Sequence, residues 1–179
     1  QLAGSAAQIP LGTVAPDQRE SSDLILTYRN FGDVDLWGTD VGMQLYATDR
    51  LSFTGSFSWV SDECFDFNSD GDCTSTSDIS LNAPKVKGSF GARFADQLSG
   101  FSIDGRVRYS DSFTMNSGVY LGNVDSYAVV DANVGYKLPV ASGAQVSLTI
   151  TNLFNDVHRE FVGAPELGRL ALLKLQYSF

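Results

Sequence analysis

No stretch of about 18 consecutive apolar residues occurs in the chain, which excludes a membrane-spanning helix. It does not exclude a membrane. Strands of a transmembrane barrel need only about 9–11 residues and alternate polar with apolar, so their hydropathy averages out. The mean hydropathy of −0.05 fits such averaging and fits a water-soluble chain equally well. Histidine is nearly missing: a Ser-His-Asp arrangement would have to be built on His158 alone, in a segment without a nucleophile elbow. Zinc sites of the Cys/His type fail on count, and no glycine-rich phosphate loop leads into a helix. The residues therefore point to no enzyme. Positive charge is in deficit, 12 Lys and Arg against 21 Asp and Glu, and the net charge of −9 would repel nucleic acid. No signal peptide stands at Gln1, so either a leader has been removed or the chain is a piece of a longer protein. Only two cysteines occur, Cys64 and Cys73, in one polar segment. As a disulfide they imply an oxidising compartment; as free thiols they imply nothing, and both readings stay open.

Proline is scarce (5) and glycine frequent (17), which with Ser and Thr favours strands and turns over long helices. Residues 1–20 show no period and read as a linker or irregular segment; the rest, 21–179, reads as one unit. Within it, period-two alternation recurs. Leu51, Phe53, Phe57 and Trp59 oppose Ser52, Thr54, Ser56 and Ser58. Similar alternation predicts strands over 85–94, 101–110, 128–138, 145–151 and 171–179, with less regular ones near 23–30 and 34–48. About eight strands result. Their connections alternate between short ones near 48–50, 95–100 and 139–143 and long ones over 61–84, 111–125 and 155–168. Short turns on one side and long loops on the other mark an up-and-down transmembrane barrel, a segregation that a soluble sandwich does not need.

The two faces differ in charge. Lys87, Arg93, Asp104, Arg106, Arg108, Asp131 and Lys174 fall mid-strand on the polar side, and the opposite side of the clear strands carries none. Aromatics such as Trp59, Phe94, Tyr109, Tyr136, Tyr177 and Phe179 gather at strand ends, as interfacial girdles do. A soluble antiparallel sheet with one wet face would show the same alternation.

The last fifty-odd residues bear a more specific pattern. SYAVVDANVGYKL at Ser126–Leu138, VSLTITNLFN at Val146–Asn155, FVGAPELGR at Phe161–Arg169 and LALLKLQYSF at Leu170–Phe179 resemble the C-terminus of TonB-dependent outer-membrane receptors. Weaker likenesses lie at Tyr28–Gly38 and Pro84–Phe94, so that the resemblance runs from Leu24 to Phe179. It implies an all-β, antiparallel up-and-down transmembrane barrel, of which this chain supplies about eight C-terminal strands out of 22. It further implies a plug domain inside the barrel, and an inner-membrane energy-coupling protein that contacts an N-terminal part not present here. Leu173, Leu175, Tyr177 and Phe179 resemble the terminal signal read by the barrel-assembly machinery. The implied location is the outer membrane of a Gram-negative-type bacterium, with outer-membrane lipid around the wall, Phe179 periplasmic and the long loops extracellular. The implied function is a barrel segment of a receptor for energy-coupled uptake of a scarce ligand. The alternative is a stand-alone eight-stranded outer-membrane barrel with a structural or adhesion role, and a third reading is a secreted sandwich that binds carbohydrate. Siderophore, cobalamin, glycan and peptide receptors share this terminus, so the ligand is not identified.

Two groups are candidate sites. Arg93, Arg106, Arg108 and Asp131 share the expected lumen side, facing an anionic ligand or acidic residues of a plug. Asp66, Asn68, Asp70 and Asp72 in the 64–80 loop, with Gly71, spell the first half of a calcium loop. The twelfth-position Glu of such loops is missing, with Ser77 there and Asp78 next; a solvated acidic turn is the other reading. No other cofactor is implied. A Cys64–Cys73 bridge would close this same loop.

Overall fold

The computed structural model describes residues 34–65, 79–116, 120–139 and 143–178. Eleven strands lie among them: β1 (Gly38–Tyr46), β2 (Leu51–Val60), β3 (Cys64–Phe65), β4 (Ile79–Ser80), β5 (Val86–Asp96), β6 (Phe101–Ser110), β7 (Phe113–Asn116), β8 (Leu121–Val124), β9 (Tyr127–Lys137), β10 (Ala144–Thr151) and β11 (Leu170–Tyr177). No helix occurs among the described residues. The seven long strands form one sheet in the order β1-β2-β5-β6-β9-β10-β11, every neighbour antiparallel. Each long strand pairs with the next long strand along the chain, which is up-and-down topology. The short strands form two separate hairpins, β3-β4 and β7-β8. The alternation placed β2 and β6 with their observed limits, and it placed β5, β9, β10 and β11 to within about two residues. The irregular strand expected over 34–48 narrows to β1, while the expected strand over 23–30 and the segment 1–20 lie outside the described residues.

The register shows why these residues share a sheet. Directly paired residues point to the same face. One row crosses all seven strands as Leu45, Phe53, Ala92, Gly105, Ala132, Ile150 and Ala171. A second runs Leu51, Phe94, Ile103, Val134, Leu148 and Leu173. A third runs Met43, Gly55, Phe90, Val107 and Val130. None of these three rows contains a charge. The rows between them are polar: Tyr46, Ser52, Arg93, Asp104, Asn133 and Thr149, then Gln44, Thr54, Gly91, Arg106 and Asp131. A slip of one residue in β5 or β6 would put arginines into the apolar rows, and one in β9 would put Asp131 there, so the pattern itself selects the register.

Among the described residues no second protein layer covers the apolar face. Phe90 is 50% exposed, and Leu173 and Leu175 are 70% and 72% exposed. The buried apolar cluster lies elsewhere: Phe113, Met115 and Val124 of the β7-β8 hairpin, with Val162 packed against them. Among the described residues the packed apolar cluster thus lies in the long-loop layer, Val129 and Ala144 are the buried apolar residues of the wall, and the apolar face of the sheet is open.

All short connections (47–50, 97–100, 138–143) leave one edge of the sheet and all long ones (61–85, 111–126, 152–169) leave the other. Tight geometry holds the short side. Gly143 adopts φ +94, and its carbonyl accepts a hydrogen bond from the Ser178 amide at 2.9 Å. A Cβ at Gly143 would collide with the Ser178 carbonyl, so glycine is what lets the β9–β10 turn clamp the end of β11. Arg50 and Asp96 pair at 3.4 Å across two neighbouring short-side turns.

Candidate functional site

The polar face is wired across strands. Asn133 Nδ2 donates to Asp104 Oδ2 at 2.8 Å, and Thr149 Oγ1 donates to Asn133 Oδ1 at 2.8 Å. Ser56 and Ser89 share a hydrogen bond of 2.8 Å. Arg108 Nε donates to Asp131 Oδ2 at 3.1 Å, while Asp131 Oδ1 accepts from the Asn152 amide at 3.0 Å. These pairings leave some cations out. Asp104 sits across from Arg93 but bonds to Asn133, and Asp131 sits across from Arg106 but pairs with Arg108. Arg93 and Arg106 make no ion pair among the described residues, and with Gln44, Tyr46, Ser52 and Thr54 they line an open groove of about 440 Å³.

The N-L-F-N segment ends β10 in a turn that ties it to the strand that follows. Asn152 takes φ +56 and is 2% exposed. Its Oδ1 accepts from the Asp156 amide at 2.9 Å and its Nδ2 donates to the Asp156 carbonyl at 2.8 Å. The Leu153 amide donates back to Val130 O of β9. Asn155, at φ +58, accepts through Oδ1 from the Arg169 amide at 2.9 Å, and the Arg169 guanidinium reaches Leu153 O. Asparagine tolerates the left-handed region because its short amide bonds to nearby backbone, which is why both turn positions are Asn. The N-L-F-N and G-R motifs are therefore two halves of one clasp, joining the exit of β10 to the start of β11.

Within the intervening loop, His158 and Leu167 form an isolated antiparallel bridge. The sequence alone suggests a solvated His158; instead, its side chain is only 7% exposed and stacks on Tyr127 with ring centroids 4.2 Å apart. Its Nδ1 lies 2.7 Å from Asp156 O, so Nδ1 carries the proton, and Nε2 faces Glu160 Oε1 at 3.5 Å. Glu160 also meets Arg108 at 3.6 Å. The signal missed was chemical rather than positional: an imidazole next to an aromatic wall residue stacks instead of facing water.

The other two long loops dock on each other. The Asn82 side chain bonds the backbone of Asn116 on both sides, accepting its amide at 2.7 Å and donating to its carbonyl at 3.4 Å. Ser80 Oγ donates to Thr114 O. Tyr120 and Phe161 meet edge to face at 5.1 Å and bring the third long loop onto the same layer.

Of the residues singled out from sequence, Arg93, Arg106, Arg108 and Asp131 are brought to one face, and only Arg108 and Asp131 touch. Leu173, Leu175 and Tyr177 form one exposed row along β11, and Phe179 lies outside the described residues. Cys64 opens β3 and is not a free thiol, while Cys73 and the acidic series Asp66, Asn68, Asp70 and Asp72 lie outside the described residues. Among the described residues no group of three or more His, Cys, Asp and Glu is placed to hold a metal. Leu170 and Leu172 depart from the simple alternation: they pair with Thr151 and Thr149, on the polar side of the edge strand, and remain 65% and 59% exposed.

Residues 5–153 match the family model described as TonB dependent receptor-like, beta-barrel. That match includes the N-L-F residues and stops before the G-x-P-x-x-G-R loop and β11. Among solved structures, the siderophore receptor PiuA from Acinetobacter baumannii superposes with a TM-score of 0.59 at 20% identity, over 79% of this chain and 21% of that one. The ferric-catecholate import receptor Fiu from E. coli K12 gives 0.57 at 16% identity, over 79% and 20%. The FrpB iron transporter from Neisseria meningitidis gives 0.56 at 16% identity, over 80% and 24%. At these identities the likeness establishes the fold, and this chain spans about a fifth of the length of the structures it resembles.

Proposed function

We propose, because this chain belongs to the TonB-dependent receptor-like β-barrel family, that it is a wall segment of an outer-membrane receptor for energy-coupled uptake of a scarce ligand. The family is one of outer-membrane barrels, and the solved relatives named above are receptors and transporters rather than enzymes. The observation that carries the reading is the set of charge-free rows, aligned across five to seven strands, with no protein over them among the described residues. A charge-free surface of this extent fits contact with hydrocarbon. The polar face, with Arg93, Arg106, Arg108 and Asp131, then lines the lumen and meets a plug or a passing ligand. An energy-coupling partner acts on parts of the receptor beyond this segment, and Leu173, Leu175, Tyr177 and Phe179 serve the assembly machinery. Leu170 and Leu172 on the polar side of β11 fit contact with the rest of the barrel or its plug better than contact with water.

In this reading Cys64 and Cys73 close the 64–80 loop, and Asp66, Asn68, Asp70 and Asp72 are a candidate calcium loop. A stand-alone eight-stranded barrel is less well supported. Among the described residues β1 and β11 are unpaired sheet edges, and the chain aligns to about a fifth of much longer barrels. A secreted sandwich requires a second layer over the apolar face, and the described residues supply none.

Orientation is the part to test. In intact cells expressing the full-length receptor, a Pro165→Cys variant in the long loop should react with an impermeant maleimide. A Leu98→Cys variant in a short turn, where Leu98 is 88% exposed, should react only after the outer membrane is permeabilised. Labelling with the opposite preference would overturn the assignment of long loops to the cell exterior.

A further inference from the structure

The β7-β8 hairpin meets both neighbouring long loops, and it does so by two kinds of chemistry. Toward the 61–85 loop the contact is polar and follows the β7 backbone. Asn82 Oδ1 accepts from the Asn116 amide at 2.7 Å, its Nδ2 donates to the Asn116 carbonyl at 3.4 Å, and Ser80 Oγ donates to the Thr114 carbonyl. One side-chain amide thus stands in for a β-bridge, holding β4 against β7 although the two hairpins are separate sheets. Toward the 152–169 loop the contact is apolar and lies on the face of the hairpin. The Ala164 amide donates to the Phe161 carbonyl at 3.1 Å, closing a turn whose third residue, Gly163, takes φ +85. Val162, the second residue of that turn, packs on Phe113, Met115 and Val124. A Cβ at Gly122 would lie 3.3 Å from a Val162 methyl, so glycine there leaves room for it. Tyr120 covers the turn from the side, meeting Phe161 edge to face at 5.1 Å.

The two outer neighbours are not joined in this way to each other. Among the described residues no hydrogen bond or ion pair links 61–85 to 152–169. The base of the 152–169 loop is fixed separately, by the Asn152–Asp156 and Asn155–Arg169 hydrogen bonds and the His158–Tyr127 stack. Its 161–164 turn rests instead on the hairpin. We propose that the β7-β8 hairpin is the keystone of the long-loop layer, the element through which the 61–85 loop and the 161–164 turn are mechanically linked. Each contact holds one side of the same pair of four-residue strands, and a two-stranded hairpin of that length is not stable alone. Order at either contact therefore supports order at the other, and Asn82 and Val162, on different loops, are energetically coupled positions. A partner that seats on one of these loops changes the stability of the other, while the base of the 152–169 loop stays outside the unit. The linkage stands on contacts within the layer, whichever side of the membrane that layer faces.

Hydrogen exchange of the full-length protein in lipid nanodiscs, read by mass spectrometry, tests the linkage when each variant is scored at the far contact. Val162→Ala touches nothing in the 61–85 loop. It should nevertheless speed exchange of the Leu81 amide, which donates to the Glu63 carbonyl, about threefold, beside about tenfold at 161–164. Asn82→Ala should in turn speed exchange of the Ala164 amide about threefold. Gly122→Ala presses on Val162 without removing any group and should repeat the Val162→Ala pattern. In all three, the amides of His158 and Leu167, which donate to each other's carbonyls, should exchange within about twofold of the unmodified protein. Faster exchange confined to the substituted loop and the hairpin would overturn the proposal. So would His158 and Leu167 amides that rise in step with the rest, because the layer would then open as one body with no keystone.

Discussion

Replacing Leu173 by Arg should destabilise the barrel by about 2–4 kcal/mol in lipid, and replacing its neighbour Leu172 by Arg should cost far less. The two changes are chemically identical and one residue apart. They differ only in face: Leu173 pairs with Leu148 in a charge-free row, and Leu172 pairs with Thr149 on the side that carries Arg93, Asp104 and Asn133. An arginine at 173 must either lie in hydrocarbon or distort the strand so that its guanidinium reaches the interface. An arginine at 172 enters a polar interior, and the loss there is confined to whatever apolar contact Leu172 makes. Equilibrium unfolding of the full-length receptor from lipid vesicles measures both. Equal losses would show that the two faces of β11 are not differently solvated.

The Asn152 turn should show the largest effect of any single residue in the long-loop layer. Asn152→Ala removes both side-chain hydrogen bonds to Asp156 and leaves a Cβ-bearing residue without an amide at φ +56. Together these should cost about 2–3 kcal/mol. Asn152→Gly relieves the backbone strain and still loses the two bonds, so it should recover about 1 kcal/mol of that loss. Asn152→Asp keeps the acceptor for the Asp156 amide and loses the donor, so it should fall near the glycine variant. Unfolding midpoints in the same vesicles give the order. If alanine and glycine prove equal, the left-handed conformation is not what the position selects for.

Much of the fold was legible because a barrel wall writes its geometry in a period of two. Seven long strands follow from residues such as Phe101, Ile103 and Val107 against Ser102, Asp104 and Arg106, and registry follows once every charge must share one face. The terminal motifs marked the family, and the structure supplies their physical meaning: N-L-F-N is a left-handed turn, and the G-R pair closes on it through Asn155. Less was legible where the contacts are non-local. Nothing in the run from Phe113 to Val124 announces a hairpin whose apolar residues pack on Val162, since the partner is some forty positions away. The Asn82–Asn116 clasp is invisible for the same reason. Shared charge on one face was foreseen for Arg93, Arg106, Arg108 and Asp131, but the choice of Arg108 as the partner of Asp131 depends on side-chain reach, which spacing does not encode. Leu170 and Leu172 break the alternation on the outermost strand of the sheet, where they pair with Thr151 and Thr149 and stay exposed.

The central claim is that one face of each strand meets hydrocarbon and the other a polar interior. Strand β9 tests it most directly, because it lies between two neighbours and runs the full span from Tyr127 to Lys137. Nitroxides placed singly along it in the membrane-embedded receptor, each read for collision with a lipid-borne and with a water-borne relaxation agent, should alternate residue by residue. Labels at 128, 130, 132 and 134 should respond to the lipid agent, and those at 129, 131 and 133 should be shielded from it. If the even positions prove shielded from both agents, another layer of protein lies over them and the account is wrong.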